Sequence, residues 1–258
     1  MNLDTALKYI PSKKAVLFLG AGFSREATSA GGGTIPSGAG LSALMCEEMG
    51  VPPKLSLEVA SREFLRNPTP ERVARYVEIM RENCRASAVR DYHRDTVNAN
   101  WKAIYTTNYD DVVEVAEKSL HVGLRSISRY SPFRYYDQEI PVVHLHGYIA
   151  DLNEQNYRDC LVISHDQILE HRTDHEHWKF FEMDAFKASA IFLVGFRAED
   201  LHIEKYLYAA TREDKKCFSF YRRVPRMTWT CGTDARSWES CCSKEQRHSQ
   251  REYLTAFR

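Results

Sequence analysis

Apolar positions in this chain fall into short, nearly continuous runs, and the stretches between them repeat with a helical period. The runs AVLFLG (15–20), KAIYT (102–106), GLRSIS (123–128), PVVHLHG (141–147), CLVIS (160–164), AIFLVGF (190–196) and KCFSFY (216–221) are too short for helices and read as strands, the first two of them buried. Between them, LSALMCEEMG (41–50) has helical spacing closed by Gly50, and DDVVEVAEKSL (110–120), HWKFFEMDAFKAS (177–189) and DLHIEKYLYAAT (200–211) are amphipathic helices, while HDQILEH (165–171) begins another. Residues 55–97 make a long, charge-laced helical region broken near Pro68 and Pro70. Strands alternating with helices predict a mainly parallel sheet covered on both faces, a Rossmann-like α/β fold. The block at about 50–97 then reads as a helical insertion between the first two strands.

Composition changes this picture little. The 35 basic residues equal the 35 acidic ones, so net charge gives no nucleic-acid or membrane signal. No apolar run approaches the ~20 residues that span a bilayer, and the first residues lack the apolar core of a signal peptide. The expected compartment is the cytoplasm. Cys46, Cys84 and Cys160 sit in separate apolar segments, which suits free thiols in a reducing environment. Cys217, Cys231, Cys241 and Cys242 crowd into the last part of the chain without paired Cys-x-x-Cys units, and no metal site is expected there. From about Arg222 the apolar period is lost. Residues 1–221 are therefore expected to be one domain, and 222–258 a weakly ordered, atypical tail, with a replaced domain ending as the sharper alternative.

An open parallel sheet binds ligands at the carboxyl ends of its strands. After the first run comes GAGFS, in which Gly20 and Gly22 permit a tight turn and close backbone approach to a phosphate. Position 25 is Arg, so a complete G-x-G-x-x-G fingerprint is missing. After the second run come Asn108, Asp110 and Asp111; after PVVH come His146 and Gly147, with His144 a second polar residue on the same strand that ranks below His146; after AIFLV come Gly195 and Asp200. Each has a plain reading as a cap, a dipole partner or a turn residue. Four such coincidences on one sheet edge point to a site. The histidines of EHRTDHEH, His171 and His175 among them, read as a solvated loop. Tyr76, Tyr130, Tyr135 and Tyr136 read as half-buried surface aromatics, with lining of the pocket as the alternative.

GAGFS, TTNYD, HLHG, LVISHDQI and VGFRAED, in that order and spacing, resemble the sirtuin fold, and within it the bacterial sirtuin-like NAD-hydrolysing domains of phage-defence proteins. The likeness spans roughly residues 13–221. It implies NAD as substrate, with Asn108 near the nicotinamide ribose, Asp110 on the carboxamide and His146 on the ribose hydroxyls. It implies that Gly20, Ala21, Gly22, Phe23 and Ser24 hold the pyrophosphate, and Gly195 and Phe196 the adenosine side. Two departures bear on the reaction. Between His146 and Gly195 the chain has only Cys160, where protein-deacylating sirtuins carry a four-cysteine zinc module, and GTIPSGAGL (33–41) keeps Pro36 but not the acid, Phe and Arg of their first loop. Both favour NAD cleavage by water, to nicotinamide and ADP-ribose, and the resemblance implies an anti-phage effector as the setting. The alternatives are a catalytically silent module that binds NAD or ADP-ribose, and a protein deacylase. A homo-oligomer or a defence-system partner are the assemblies in view.

Overall fold

The computed structural model describes residues 3–117, 123–132, 139–163, 167 and 176–196, together with the backbone of 217–220. The described elements begin with α1 (Leu3–Leu7), β1 (Ala15–Leu19), α2 (Ala21–Ser24), β2 (Thr28–Ser29), α3 (Gly38–Glu48), α4 (Leu57–Phe64), α5 (Pro70–Cys84), β3 (Ala86–Ala88) and α6 (Asp91–Val97). They continue with β4 (Ala103–Thr106), α7 (Val112–Glu117), β5 (Gly123–Ile127), β6 (Glu139–His144), α8 (Glu176–Lys187), β7 (Ala190–Val194) and β8 (Cys217–Phe220).

Six strands form one sheet in the order β5-β6-β4-β1-β7-β8, and every pairing in it is parallel. From β1 the chain first goes to one side, to β4, and later returns to the other, at β7. The strand order therefore reverses at β1, and the crevice beyond its carboxyl end is where a parallel sheet offers a ligand room.

Side-chain alternation places two cores on the two faces. Leu17, Leu19, Ile104, Val142 and Phe192 pack toward α6 and α7. Val16, Phe18, Tyr105, Val143 and Ile191 pack against Trp178 and Phe181 of α8. Because both faces are covered, β1 and β4 are buried at every position, which is why they read as unbroken apolar runs. On the second face Asp184 is fully buried, accepting from the Tyr105 hydroxyl at 2.7 Å and pairing with Lys102 at 2.9 Å.

A third core joins α3, α4 and α5 to the loop after β6. Ser56 caps α4, and Thr69 caps α5 by accepting from the Arg72 amide at 3.3 Å. Pro70 then fills the first turn of α5, where its missing N–H costs nothing. The block between β1 and β4 is not wholly helical, because β2 and β3 pair antiparallel across it.

One expected strand is absent. Residues 160–163 of CLVIS form no ladder; the Val162 amide donates to the His146 carbonyl at 2.9 Å, while Cys160 and Leu161 join the helical core. Burial alone made this segment apolar, and a short apolar run looks the same in either setting. Residue 164, the helices expected at 200–211 and over most of 165–171, and the tail at 222–258 lie outside the described residues.

Candidate functional site

The end of β1 meets the end of β7 backbone to backbone. The Gly20 amide donates to the Val194 carbonyl at 3.0 Å and the Gly22 amide to the Gly195 carbonyl at 2.8 Å. A Cβ on Gly20 or Gly22 would stand 2.8 or 2.7 Å from the Gly195 oxygen. Gly195 has φ +67, and a Cβ there would fall 2.0 Å from the Phe23 nitrogen. These glycines are required by the contact between the two loops. The amides of Gly20, Gly22 and Phe23 all serve protein carbonyls, so a phosphate at this loop would meet them only by exchanging those bonds.

Phe23 and Phe196 turn their rings into the cores. Phe23 lies edge-on to Tyr92 and His93, and Phe196 edge-on to Phe18 at 5.7 Å. The Phe23 carbonyl accepts from the Tyr92 hydroxyl at 3.1 Å and from His93 Nε2 at 2.8 Å. His93 Nδ1 accepts the Arg90 amide at 2.9 Å, which fixes the tautomer. Burial pushes this imidazole down to about 4, so it is neutral at pH 7.

The end of β4 is built differently, from side chains. Thr106 Oγ1 donates to the Leu19 carbonyl at 3.1 Å and accepts the Asn108 amide at 3.0 Å. Asn108 Nδ2 donates to the Gly20 carbonyl at 3.1 Å and to Ser24 Oγ at 3.0 Å. A carbonyl can only accept, so the amide nitrogen must face Gly20, and the orientation of the group is settled. Both amide protons are then engaged and Oδ1 remains for another partner. Ser24, itself fully buried, passes its hydroxyl hydrogen bond on to Asp110. Asp110 also accepts the Val112 amide at 3.2 Å. Burial pushes its carboxyl up to about 6, against the Ser24 and Val112 hydrogen bonds and the charge of His144. Asp111 points elsewhere. Its carboxylate accepts the Ala86 amide at 2.6 Å and pairs with Arg85 at 3.4 Å, which ties α7 to β3.

The end of β6 brings two histidines to the same edge. Thr106 of β4 pairs in register with His144 of β6, so Asn108 and His146 each lie two residues beyond that rung. His146 is buried, its ring centroid 5.8 Å from that of Trp178. Gly147 (φ +94) turns the chain immediately after it, and a Cβ there would strike the Cys160 carbonyl at 2.0 Å. His144 faces α7: Nε2 is 2.9 Å from Glu114 Oε1, Nδ1 is 3.5 Å from the Asn108 carbonyl, and the ring stacks on Tyr148 at 4.1 Å. Burial, the largest single influence, opposes the His144 charge, but the Glu114 carboxylate, the Asn108 carbonyl and Asp110 together outweigh it and the net shift is upward. Burial likewise works to raise Glu114, and the His144 charge and hydrogen bond bring it down instead.

The structure thus brings Gly20, Gly22, Ser24, Asn108, Asp110 and Gly195 into one connected network, with His144 and His146 at its β6 end. Sequence reasoning ranks His144 below His146 and passes over Glu114, Thr106 and His93. Glu114 leaves one signal, four residues after Asp110 on the first turn of a helix. His93 leaves none, since the contact that ties it to this edge is with the Phe23 carbonyl, distant in the chain. Tyr76 is fully buried among the helices, while Tyr130 is exposed. His171, His175, Asp200, Tyr135, Tyr136, Cys231, Cys241 and Cys242 lie outside the described residues. Among the described residues no helix is long and apolar enough to cross a membrane.

The model of the SIR2-like domain family matches residues 102–250, more than half of the chain. The match holds Asn108, Asp110, His146, Gly195 and Phe196, and the Gly20–Ser24 loop precedes it. It also runs through 222–250, into the segment that lacks an apolar period. No curated protein matches the chain.

Proposed function

The chain belongs to the SIR2-like domain family, and from that premise we propose that it cleaves the nicotinamide–ribose bond of NAD with water as acceptor, releasing nicotinamide and ADP-ribose. The observation that carries this reading is the anchoring of Asn108: its backbone nitrogen and both side-chain protons are held, so one oxygen, Oδ1, is presented in a fixed direction. Cleavage passes through a sugar with growing positive charge, and nicotinamide leaves as a neutral ring. No strong acid is needed. What is needed is a fixed ribose and an oriented water.

In this reading Asn108 Oδ1 orients the water, and neutral His146 accepts a proton from it or from a ribose hydroxyl. Asp110 accepts from the carboxamide N–H groups, which selects nicotinamide over other leaving groups. Ser24 holds Asn108 and Asp110 in mutual register. The glycine contact between the Gly20 and Gly195 loops supports the adenosine and pyrophosphate half. The proposed setting, an effector against phage in the cytoplasm, acting as a homo-oligomer or with a defence-system partner, rests on the likeness of the sequence motifs.

The test is to incubate the purified chain with NAD and follow free nicotinamide. Asn108→Ala and His146→Ala are expected to abolish release while leaving the circular dichroism spectrum unchanged. Release at the wild-type rate by both variants would refute the site. NAD binding without release would identify a silent binding module, and release that depends on an acetylated peptide would identify a deacylase.

A further inference from the structure

The partners of His144 are both acceptors. Glu114 Oε1 lies 2.9 Å from Nε2, and the Asn108 carbonyl lies 3.5 Å from Nδ1. A neutral imidazole carries one proton and can serve only one of them; an imidazolium serves both. The ring is fully buried. The second carboxylate oxygen of Glu114 is buried without a hydrogen-bond partner, so the charged form of Glu114 depends on the proton of His144. The Ser126 hydroxyl, from β5, donates to the same oxygen, Glu114 Oε1, at 2.5 Å.

We propose that His144, gripped by Glu114, is a positioning residue for Asn108 and Asp110: it bridges α7 to the Asn108 carbonyl and sets a fixed positive charge behind the loop that carries both. The inference rests on reading that loop as the nicotinamide–ribose site. The groups facing the ring are Glu114 from α7, Asp110 from the loop and the stacked Tyr148 from beyond β6, and Asp111 and Arg85 act on Tyr148 in turn. Within this set His144 is the cation that favours ionised Asp110, while Glu114 opposes it. Without His144, Asp110 would hold its proton further into the neutral range and lose an acceptor for the carboxamide. The Asn108 carbonyl would also lose its donor, and the loop one of its points of attachment.

Nuclear magnetic resonance of the full chain tests this without reference to turnover. The His144 ring of the wild-type protein is expected to carry protons on both nitrogens at pH 7; a singly protonated ring overturns the proposal. In His144→Gln the midpoint of the Asp110 carboxyl is expected to rise by about one pH unit, and an unchanged midpoint overturns it. His144→Gln with Glu114→Gln covers the case in which the single variant fails to fold, since it also removes the unpaired carboxylate. Asp110 should then titrate above its wild-type value by a smaller amount, and a wild-type midpoint counts against the role. Where NAD is cleaved, the acidic limb of kcat/KM should move upward with Asp110, a shift that loss of packing alone would not produce. If the wild-type chain releases no nicotinamide, the proposed reaction fails while the two titrations still decide the role of His144.

Discussion

The two halves of the sheet edge hold themselves together by different means. At β1 and β7 the chain meets itself through glycine backbone, with Gly20, Gly22 and Gly195 in contact and almost no side chain between them. At β4 and β6 it meets itself through buried polar side chains, from Asn108 and Ser24 to Asp110, His144 and Glu114. The first half is governed by volume, the second by protons. Added atoms should therefore break one, and lost charge or hydrogen bonds the other.

The largest effect should come from Gly195→Ala. A methyl group 2.0 Å from the Phe23 nitrogen, on a residue with φ +67, forces the two loops apart. We expect a loss of about 4 kcal/mol or more, seen as a fall of roughly 10 °C in Tm. A Tm near wild type would mean that the loops separate freely and that the glycine contact supports nothing.

Ser24→Ala sharpens the contrast, because the hydroxyl stands between the halves. Its removal leaves the Asn108 and Asp110 side chains each short of one hydrogen bond. The expected cost in denaturant unfolding is about 1–2 kcal/mol. NAD cleavage should fall by roughly tenfold or more, because the geometry of Asn108 loosens. Equal, small losses in both measurements would assign Ser24 to packing alone.

Acid sets the halves against each other. His93, which holds the Phe23 carbonyl of the glycine half, is pushed by burial from 6.5 to about 4. Between these values the unfolded chain binds more protons, so its contribution is complete above pH 6.5 and is lost as pH falls toward 4. Asp110, in the polar half, is pushed by burial from 3.8 to about 6. There the folded chain binds more protons, so stability is gained as pH falls through 6 and is complete below 3.8. Each amounts to about 3 kcal/mol, and in the wild type they nearly cancel. Relative to wild type, His93→Gln should gain stability between pH 6.5 and 4, and Asp110→Asn should lose it. Parallel urea profiles for all three proteins over that range would contradict both shifts.

Gly50→Ala should have the smallest effect. Gly50 also has positive φ (+68), but a Cβ there meets nothing within 4 Å. Backbone strain alone should cost about 1 kcal/mol in Tm-derived stability. A loss matching that of Gly195→Ala would show that φ, and not the loop contact, dominates the glycine half.

Several elements were legible in the chain before folding. AVLFL and AIFLV are apolar at every position, and strands covered on both faces are continuous in this way. Pro68 and Pro70 mark the break in the helical region at 55–97, and α4 ends at Phe64 and α5 begins at Pro70 there. TTNYD and HLHG place polar groups immediately after such strands, so Asn108, Asp110 and His146 could be named from sequence. CLVIS misled because burial in a loop and burial in a sheet leave the same apolar signature.

The strand and helix periodicity, and the polar residues that follow each apolar run, were set by neighbours close in the chain, and the alternation of strands with helices implied the parallel sheet. The tertiary structure alone decided which of those residues touch. Gly22 meets Gly195, Asn108 meets Ser24, His93 meets Phe23 and His144 meets Glu114 across 30 to 173 residues of chain. Hydrogen-bond partnership, tautomer and proton affinity follow from such contacts, because burial and the nearest charge are properties of position in space and not of order along the chain.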